Sequence, residues 1–164
     1  QLSSGDGNTH IIQIEKDQIK APNLVNLLSN DKILKLFHFG RFDIAILFST
    51  FGVITSPVYC TKIASKIART YTDRHGLKNL LSEILDVDIS KQQQSSDWGA
   101  KHLSKAQIEY AATDVLYLHA LREKLNEMLT RENRSELANE CFKFLPSRAV
   151  LDIKGWNNID IFEH

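Results

Sequence analysis

Apolar residues recur along this chain at two periods, and the alternation between those periods predicts strands interleaved with helices. Gln1-Leu2-Ser3-Ser4 and Thr9-His10-Ile11-Ile12-Gln13-Ile14 are β-rich runs. Between them, Ser4-Gly5-Asp6-Gly7-Asn8 supplies the Gly and Asn residues of a hairpin turn. Pro22 opens a short helix carrying Leu24, Val25, Leu27 and Leu28, and Ile33-Leu34-Lys35-Leu36-Phe37 reads as a strand. Helical spacing returns from Arg41 to Phe51, where Gly52 stops it. A β segment from Val53 to Tyr59 is broken by Pro57, and Thr61 to Arg69 is helical through Ile63, Ala64, Ile67 and Ala68. Another helix begins at Gly76-Leu77-Lys78-Asn79-Leu80-Leu81. The polar stretch from Asp86 to Leu103, with Gln92-Gln93-Gln94-Ser95-Ser96 inside it, reads as a functional loop. Ser104-Lys105-Ala106-Gln107 is a capping box, and the helix that it starts is predicted to run to Thr130. A last helix spans Ser135 to Phe144 and stops before Pro146. The whole predicts an α/β sandwich.

Composition narrows the class. The chain has 164 residues, 43% hydrophobic and 24% charged, which suits one domain with a true core, residues 1–164. Its longest apolar runs, such as Ile44 to Phe48, are too short for a membrane helix. Cys60 and Cys141 lie far apart and outside any metal-ligand spacing, so a reducing, cytoplasmic setting is expected. Twenty basic and 20 acidic side chains cancel, which removes the broad positive footprint of proteins that hold nucleic acid by charge alone. The chain starts on Gln1 with no initiator Met, and its opening hairpin has little of a first strand, so it reads as a fragment.

Two segments stand out chemically. Tyr110, Asp114, Leu118, Leu121 and Leu125 follow one another at spacings of three and four, with Ala111 three before Asp114, which puts Asp114 on the apolar face of its helix. A carboxylate there needs compensation: a backbone amide, an Arg from elsewhere, or a metal ion. His38-Phe39-Gly40-Arg41-Phe42-Asp43 spans the end of a predicted strand and the start of a helix, where α/β sheets collect ligands. Taken alone, Asp43 is a carboxylate favoured by a helix N-terminus, His38 a strand-end histidine, and Phe39 and Phe42 core residues. Lys62, Lys66 and Arg69 share one side of a helix, and Lys101-His102 follows the polar loop; either set is a phosphate contact or a solvated face. Trp98 is a stacking platform or lid anchor, and Trp156 is expected to pack the 145–164 tail onto the domain. Asp73, Arg74 and His75 mark a turn without a functional assignment.

Together the segments resemble a known family. His38-x-x-x-Phe42-Asp43, followed by Tyr110-x-x-x-Asp114, resembles the second and third motifs of the ribonuclease D family, the tyrosine-type Asp-Glu-Asp-Asp exonucleases. Ser96-Asp97-Trp98, the block from Leu103-Ser104 through Gln107, Tyr110-Ala111-Ala112, Asp114-Val115 and Tyr117-Leu118, and Gly76-Leu77-x-x-Leu80 are similar to it as well. The tail from Leu145 to His164 is similar to the ending of compact bacterial members without appended helical domains. The resemblance implies a ribonuclease H-like (DnaQ-like) exonuclease fold, a central mixed sheet flanked by helices. It also implies metal-dependent 3′-5′ exoribonuclease activity on small structured RNA such as tRNA precursors, with DNA as an alternative substrate.

By the same resemblance, two divalent ions, Mg²⁺ or Mn²⁺, are held in part by Asp43 and Asp114, and Tyr110 orients the attacking water. His38, Phe42 and Phe39 line the terminal-nucleotide pocket, with Trp98 and Lys101 adding substrate contacts. The family's Asp-x-Glu motif sits on a strand that would precede Gln1; Asp6, in a turn, and Glu15, past the hairpin, do not fit it. A homodimer would supply substrate grip. The alternative is a degenerate domain of this kind that binds nucleic acid or protein without cleaving.

Overall fold

The structure is a computed structural model describing residues 1–14, 20–90, 92–93 and 95–164. Glu15, and Lys91 and Gln94 of the predicted loop, lie outside the described residues. Pro22 at the first turn opens α1 (Pro22–Ser29), which buries Leu28. Lys35–Phe37 forms β1, and the chain then turns into α2 (Gly40–Phe51), closed by Gly52 in the left-handed region at φ 67°. Val58–Cys60 forms β2, parallel to β1 with Lys35 opposite Val58 and Phe37 opposite Cys60. Three more helices follow: α3 (Thr61–Ala68), α4 (Leu77–Leu85) and α5 (Lys105–Leu116). The chain ends in α6 (Leu118–Arg131), α7 (Ser135–Leu151) and a turn at Asp152–Trp156 kinked at Gly155.

The core gathers where α3 packs on α6 and α2 on α7. Leu121, Leu125 and Leu129, one stripe of α6, are at most 2% exposed. Ala64, Ala68, Ala138 and Ala149 are also buried, and their small side chains let the helix axes approach. Tyr59 of β2 lies against Phe142 with ring centroids 4.4 Å apart, and its hydroxyl donates to Asn126 Oδ1 at 3.0 Å, so the buried phenol is satisfied.

Four expectations change. The helix predicted from Ser104 to Thr130 is interrupted at Tyr117 (φ −100°, ψ 0°), leaving Leu118 to begin the core stripe on a separate helix. Thr113 Oγ1 donates to the Tyr110 carbonyl at 2.6 Å, a back-bond of the kind that loosens a helix just ahead of such a break. Pro146 does not end the last helix. It lies buried inside α7, where burial of Leu145, Pro146 and Ala149 offsets the missing amide hydrogen bond. The opening hairpin reduces to one antiparallel bridge, Leu2 with His10, so among the described residues the sheet proper is the parallel pair β1–β2. A lone two-stranded ribbon has little cooperative pairing to extend it. The β segment placed from Val53 shortens to β2, whose three residues are all buried.

Arg69 departs furthest from its expected place. It is 3% exposed and pairs with Glu83 of α4, while its guanidinium also donates to the Arg74 carbonyl at 3.2 Å. The charge of Arg69 is thus spent joining α3 to α4 rather than facing solvent or phosphate. Beside it, Ser65 Oγ and His75 Nδ1 are hydrogen-bonded at 2.8 Å. The tail is held by charge. Arg41 binds Asp152 through Nε at 2.5 Å and Nη2 at 2.7 Å, and Arg148 reaches the same carboxylate at 2.9 Å. Arg148 also donates to the Trp156 and Ile159 carbonyls. The Trp156 ring stays 44% exposed, so its main chain rather than its indole is the anchor.

Candidate active site

The two parallel strands end side by side at Phe37 and Cys60, one leading into the turn before α2 and the other directly into α3. After β1 the chain must reverse within a few atoms of its own strand. A Cβ on Gly40 would sit 2.6 Å from Phe37 Cβ, so only glycine fits there. The preceding residue, Phe39, takes a left-handed conformation (φ 64°, ψ 37°), uncommon and strained for an aromatic residue. This turn leaves Phe39 52% and Phe42 64% exposed at the mouth of the site instead of in the core. Lys62, from the first turn of α3, places Nζ 4.0 Å from the Phe39 ring centroid, which leaves a cation and an aromatic face side by side.

His38 is fixed behind them. Its Nδ1 lies 2.9 Å from Thr61 Oγ1, and that hydroxyl donates to the Phe37 carbonyl at 3.3 Å. With the Thr61 proton so committed, Nδ1 is the donor to Thr61, which leaves Nε2 an acceptor. Burial, helped by the Lys62 charge, pushes the His38 pKa down to about 4, so the ring is neutral at physiological pH.

Asp43 and Asp114 lie close enough for the charge of Asp114 to act on Asp43. Asp43 keeps solvent-exposed surface, but neighbouring groups displace part of its hydration. That desolvation raises its pKa first, and the charge of Asp114 raises it further. Half-buried Asp114 is raised by desolvation as well. The only side-chain hydrogen bond to Asp114 among the described residues is a long one, 3.4 Å, from Gln1 Nε2. Tyr110, one turn before Asp114, has its phenol raised by burial and then by the Asp114 charge. No side-chain cation pairs with either acid among the described residues, and no group of three or more His, Cys, Asp or Glu converges there. Two neighbouring, under-neutralised carboxylates fit half of a cation-binding set.

Trp98 packs on Tyr110 from outside, with ring centroids 5.9 Å apart and planes 42° apart. Lys101 is exposed near the end of the same loop, and the structure gives it no partner at the site. The structure thus brings together Asp43, Asp114 and Tyr110, and separately His38, Phe39 and Lys62. What the sequence did not show is the link from Gln107 to the Trp98 loop and the stacking of Lys62 on Phe39. The capping-box spacing pointed to Gln107 only as a helix start.

A model of the 3′-5′ exonuclease family matches residues 1–130. The ribonuclease D of Acidiphilium cryptum (strain JF-5) is 35% identical over 136 residues, 83% of this chain and 34% of that protein. The chain spans about a third of the length of the curated ribonucleases D that it matches. Among solved structures, Brucella melitensis NrnC is 62% identical with a TM-score of 0.96, covering 99% of this chain and 79% of that one. The same protein has been solved with bound Mg²⁺ and bound to pGG. Escherichia coli RNase D, an exoribonuclease involved in structured RNA processing, superposes with a TM-score of 0.71 at 26% identity, over 83% of this chain and 37% of that one. A small parallel sheet among helices, two carboxyl groups close enough to influence one another and a family match over residues 1–130 agree: the chain belongs to the 3′-5′ exonucleases, with their ribonuclease H-like, DnaQ-like fold.

Proposed function

We propose that the protein is a divalent-metal-dependent 3′-5′ exoribonuclease that removes nucleotides from the ends of short RNA. The observation that carries this reading is the Asp43–Asp114 pair, two acids held close at raised pKa with Tyr110 beside them. Mg²⁺, with which the NrnC of Brucella melitensis was solved, would be held by these two carboxylates, with the Asp-x-Glu pair of the family completing the set. Bound there, such a metal would supply an activated water and stabilisation of the charge on the departing 3′ oxygen.

The chain's own residues do the rest. Asp43, at the first turn of α2, and Asp114 on α5 present carboxylates from two separate helices to one place, where a bound cation would offset their charge against the reacting phosphate. The Tyr110 phenol, kept protonated by burial and by the Asp114 charge, donates a hydrogen bond that orients the water. The neutral His38 offers Nε2 to a hydroxyl of the terminal ribose. Phe39 and Phe42 provide faces for a base, and Lys62 lies close enough to meet a phosphate.

Short RNA is favoured over tRNA precursors because the NrnC bound to pGG shares 60% of its residues over 99% of this chain, against 26% for the E. coli enzyme. A homodimer that adds grip belongs to the same reading, and a light-scattering mass equal to the monomer rejects it.

The test offers the full-length protein a 5′-labelled diribonucleotide, its DNA counterpart and a tRNA precursor with a 3′ extension, in Mg²⁺, Mn²⁺ or chelator. Metal-dependent hydrolysis fastest on the diribonucleotide supports the reading. Preference for the precursor transfers the assignment to structured RNA. RNA binding with no product under any metal establishes a degenerate binding domain.

A further inference from the structure

We propose that Gln107 is a positioning residue whose carboxamide clamps the Ser96–Trp98 loop so that Trp98 stays packed on Tyr110. Gln107 is 7% exposed, and every polar atom of its side chain is engaged. Oε1 accepts from the Ser104 amide at 2.9 Å, while the Gln107 amide donates to Ser104 Oγ at 3.3 Å, which completes the capping box. A glutamate would do this equally well. The amide nitrogen is what capping leaves unexplained, and it faces the loop. Nε2 donates to the Asp97 carbonyl at 2.9 Å and to Ser96 Oγ at 3.2 Å, and Ser96 Oγ passes its own proton to the Gln93 carbonyl at 2.8 Å.

One buried side chain therefore holds both the start of α5 and the loop that carries Trp98. Tyr110 lies three residues along the same helix face from Gln107, so helix start, loop and phenol move as one unit. Asp97 turns the chain just beyond, its carboxylate accepting from the Gly99 amide at 2.9 Å, which sets the indole back over the helix.

Gln107→Glu separates the two roles: it retains the capping acceptor but sets a carboxylate oxygen against the Asp97 carbonyl, where two acceptors repel. The experiment uses the full-length protein with Trp156 and any tryptophan outside residues 1–164 replaced by Phe, so that Trp98 alone emits. In Gln107→Glu, Trp98 emission moves to longer wavelength and acrylamide quenching rises, while the helical circular dichroism holds. The kinetic part rests on the exonuclease reading: kcat on RNA falls about tenfold with KM within about twofold, roughly the loss of one oriented contact. Adding Gln107→Glu to Trp98→Ala then costs nothing further, because the two changes break the same link. Should Gln107→Glu fold poorly, Ser96→Ala leaves the capping box intact, removes the Gln107 contact together with the Ser96–Gln93 bond inside the loop, and gives the same shift at smaller size. Unchanged Trp98 emission, a loss confined to KM, or additive losses in the double variant each overturn the clamp. If the wild-type protein turns over no RNA, the exonuclease reading falls, and the emission shift still decides the clamp.

Discussion

The two sides of the site are built on different principles. Asp43 stands on α2, whose Ile44 and Ala45 are buried in the main core with α3, α4, α6 and α7. Tyr110 and Asp114 stand on α5, which contributes no residue to that core and buries only Gln107 and Ala111. The α2 side is positioned by apolar packing. The α5 side is positioned by hydrogen bonds: the capping box, the Gln107 contacts with the loop, and Gln13 Nε2 donating to the Ala100 carbonyl at 3.2 Å. Packing is dense and resists displacement, whereas a few polar contacts at a rim hold geometry at lower local stability. A site that straddles the two has one rigid acid and one that can adjust, which suits a reaction that must admit and release chain ends.

The largest expected effect comes from removing an acid on either side. Asp114→Asn and Asp43→Asn should each lower RNA hydrolysis on the order of a thousandfold, since the metal-holding charge is worth several kcal/mol in the transition state. The melting temperature should hold or rise. Turnover within a few fold of wild type would remove either residue from the chemistry.

Stability should show the opposite asymmetry. Leu125→Ala in the core should cost about 2–5 kcal/mol, and Ile108→Ala on α5, with its side chain 44% exposed, less than about 0.5 kcal/mol. Denaturant titration of the two variants measures the gap, and equal losses would erase the distinction between a packed and a tethered side.

Next in size is a pH effect. A carboxyl whose pKa is raised on folding stabilises the fold while protonated, and that contribution disappears as pH rises through the raised value. Asp43 and Asp114 are both of this kind. In chelator, wild-type melting temperature should therefore fall relative to Asp114→Asn as pH goes from about 4 to 7. Mg²⁺ should reverse the fall in wild type alone, and a parallel pH course in both proteins would contradict the assigned shifts.

The smallest change is at the tail. Asp152→Asn weakens the Arg41 and Arg148 contacts, which are partly exposed, and should cost at most about 1 kcal/mol with turnover on RNA unchanged. A larger loss, read by denaturant titration, would mean that the tail carries part of the α2 side.

Much of this is legible in the sequence. Periodicity located the helices, because an apolar face needs regular spacing wherever its partner lies; α2, α3, α4 and α7 begin where the pattern placed them. Motif spacing singled out Asp43, Tyr110 and Asp114, since one helical turn between Tyr110 and Asp114 is a local property. What misled was also local: Pro146 reads as a stop, and Ser104 to Thr130 reads as one helix. Neither reading includes the tertiary burial that keeps Pro146 in α7, or the break at Tyr117 that parts the site helix from the core helix.

The sequence by itself determined the family motifs, the capping box and the core stripe of α6, each written within a few turns of chain. Only the tertiary structure decided that Asp43 lies near Asp114, that Arg69 spends its charge on Glu83, and that Gln107 reaches across to the Trp98 loop. Those pairings join residues from separate elements, and their energies depend on distance and desolvation, which no local pattern encodes.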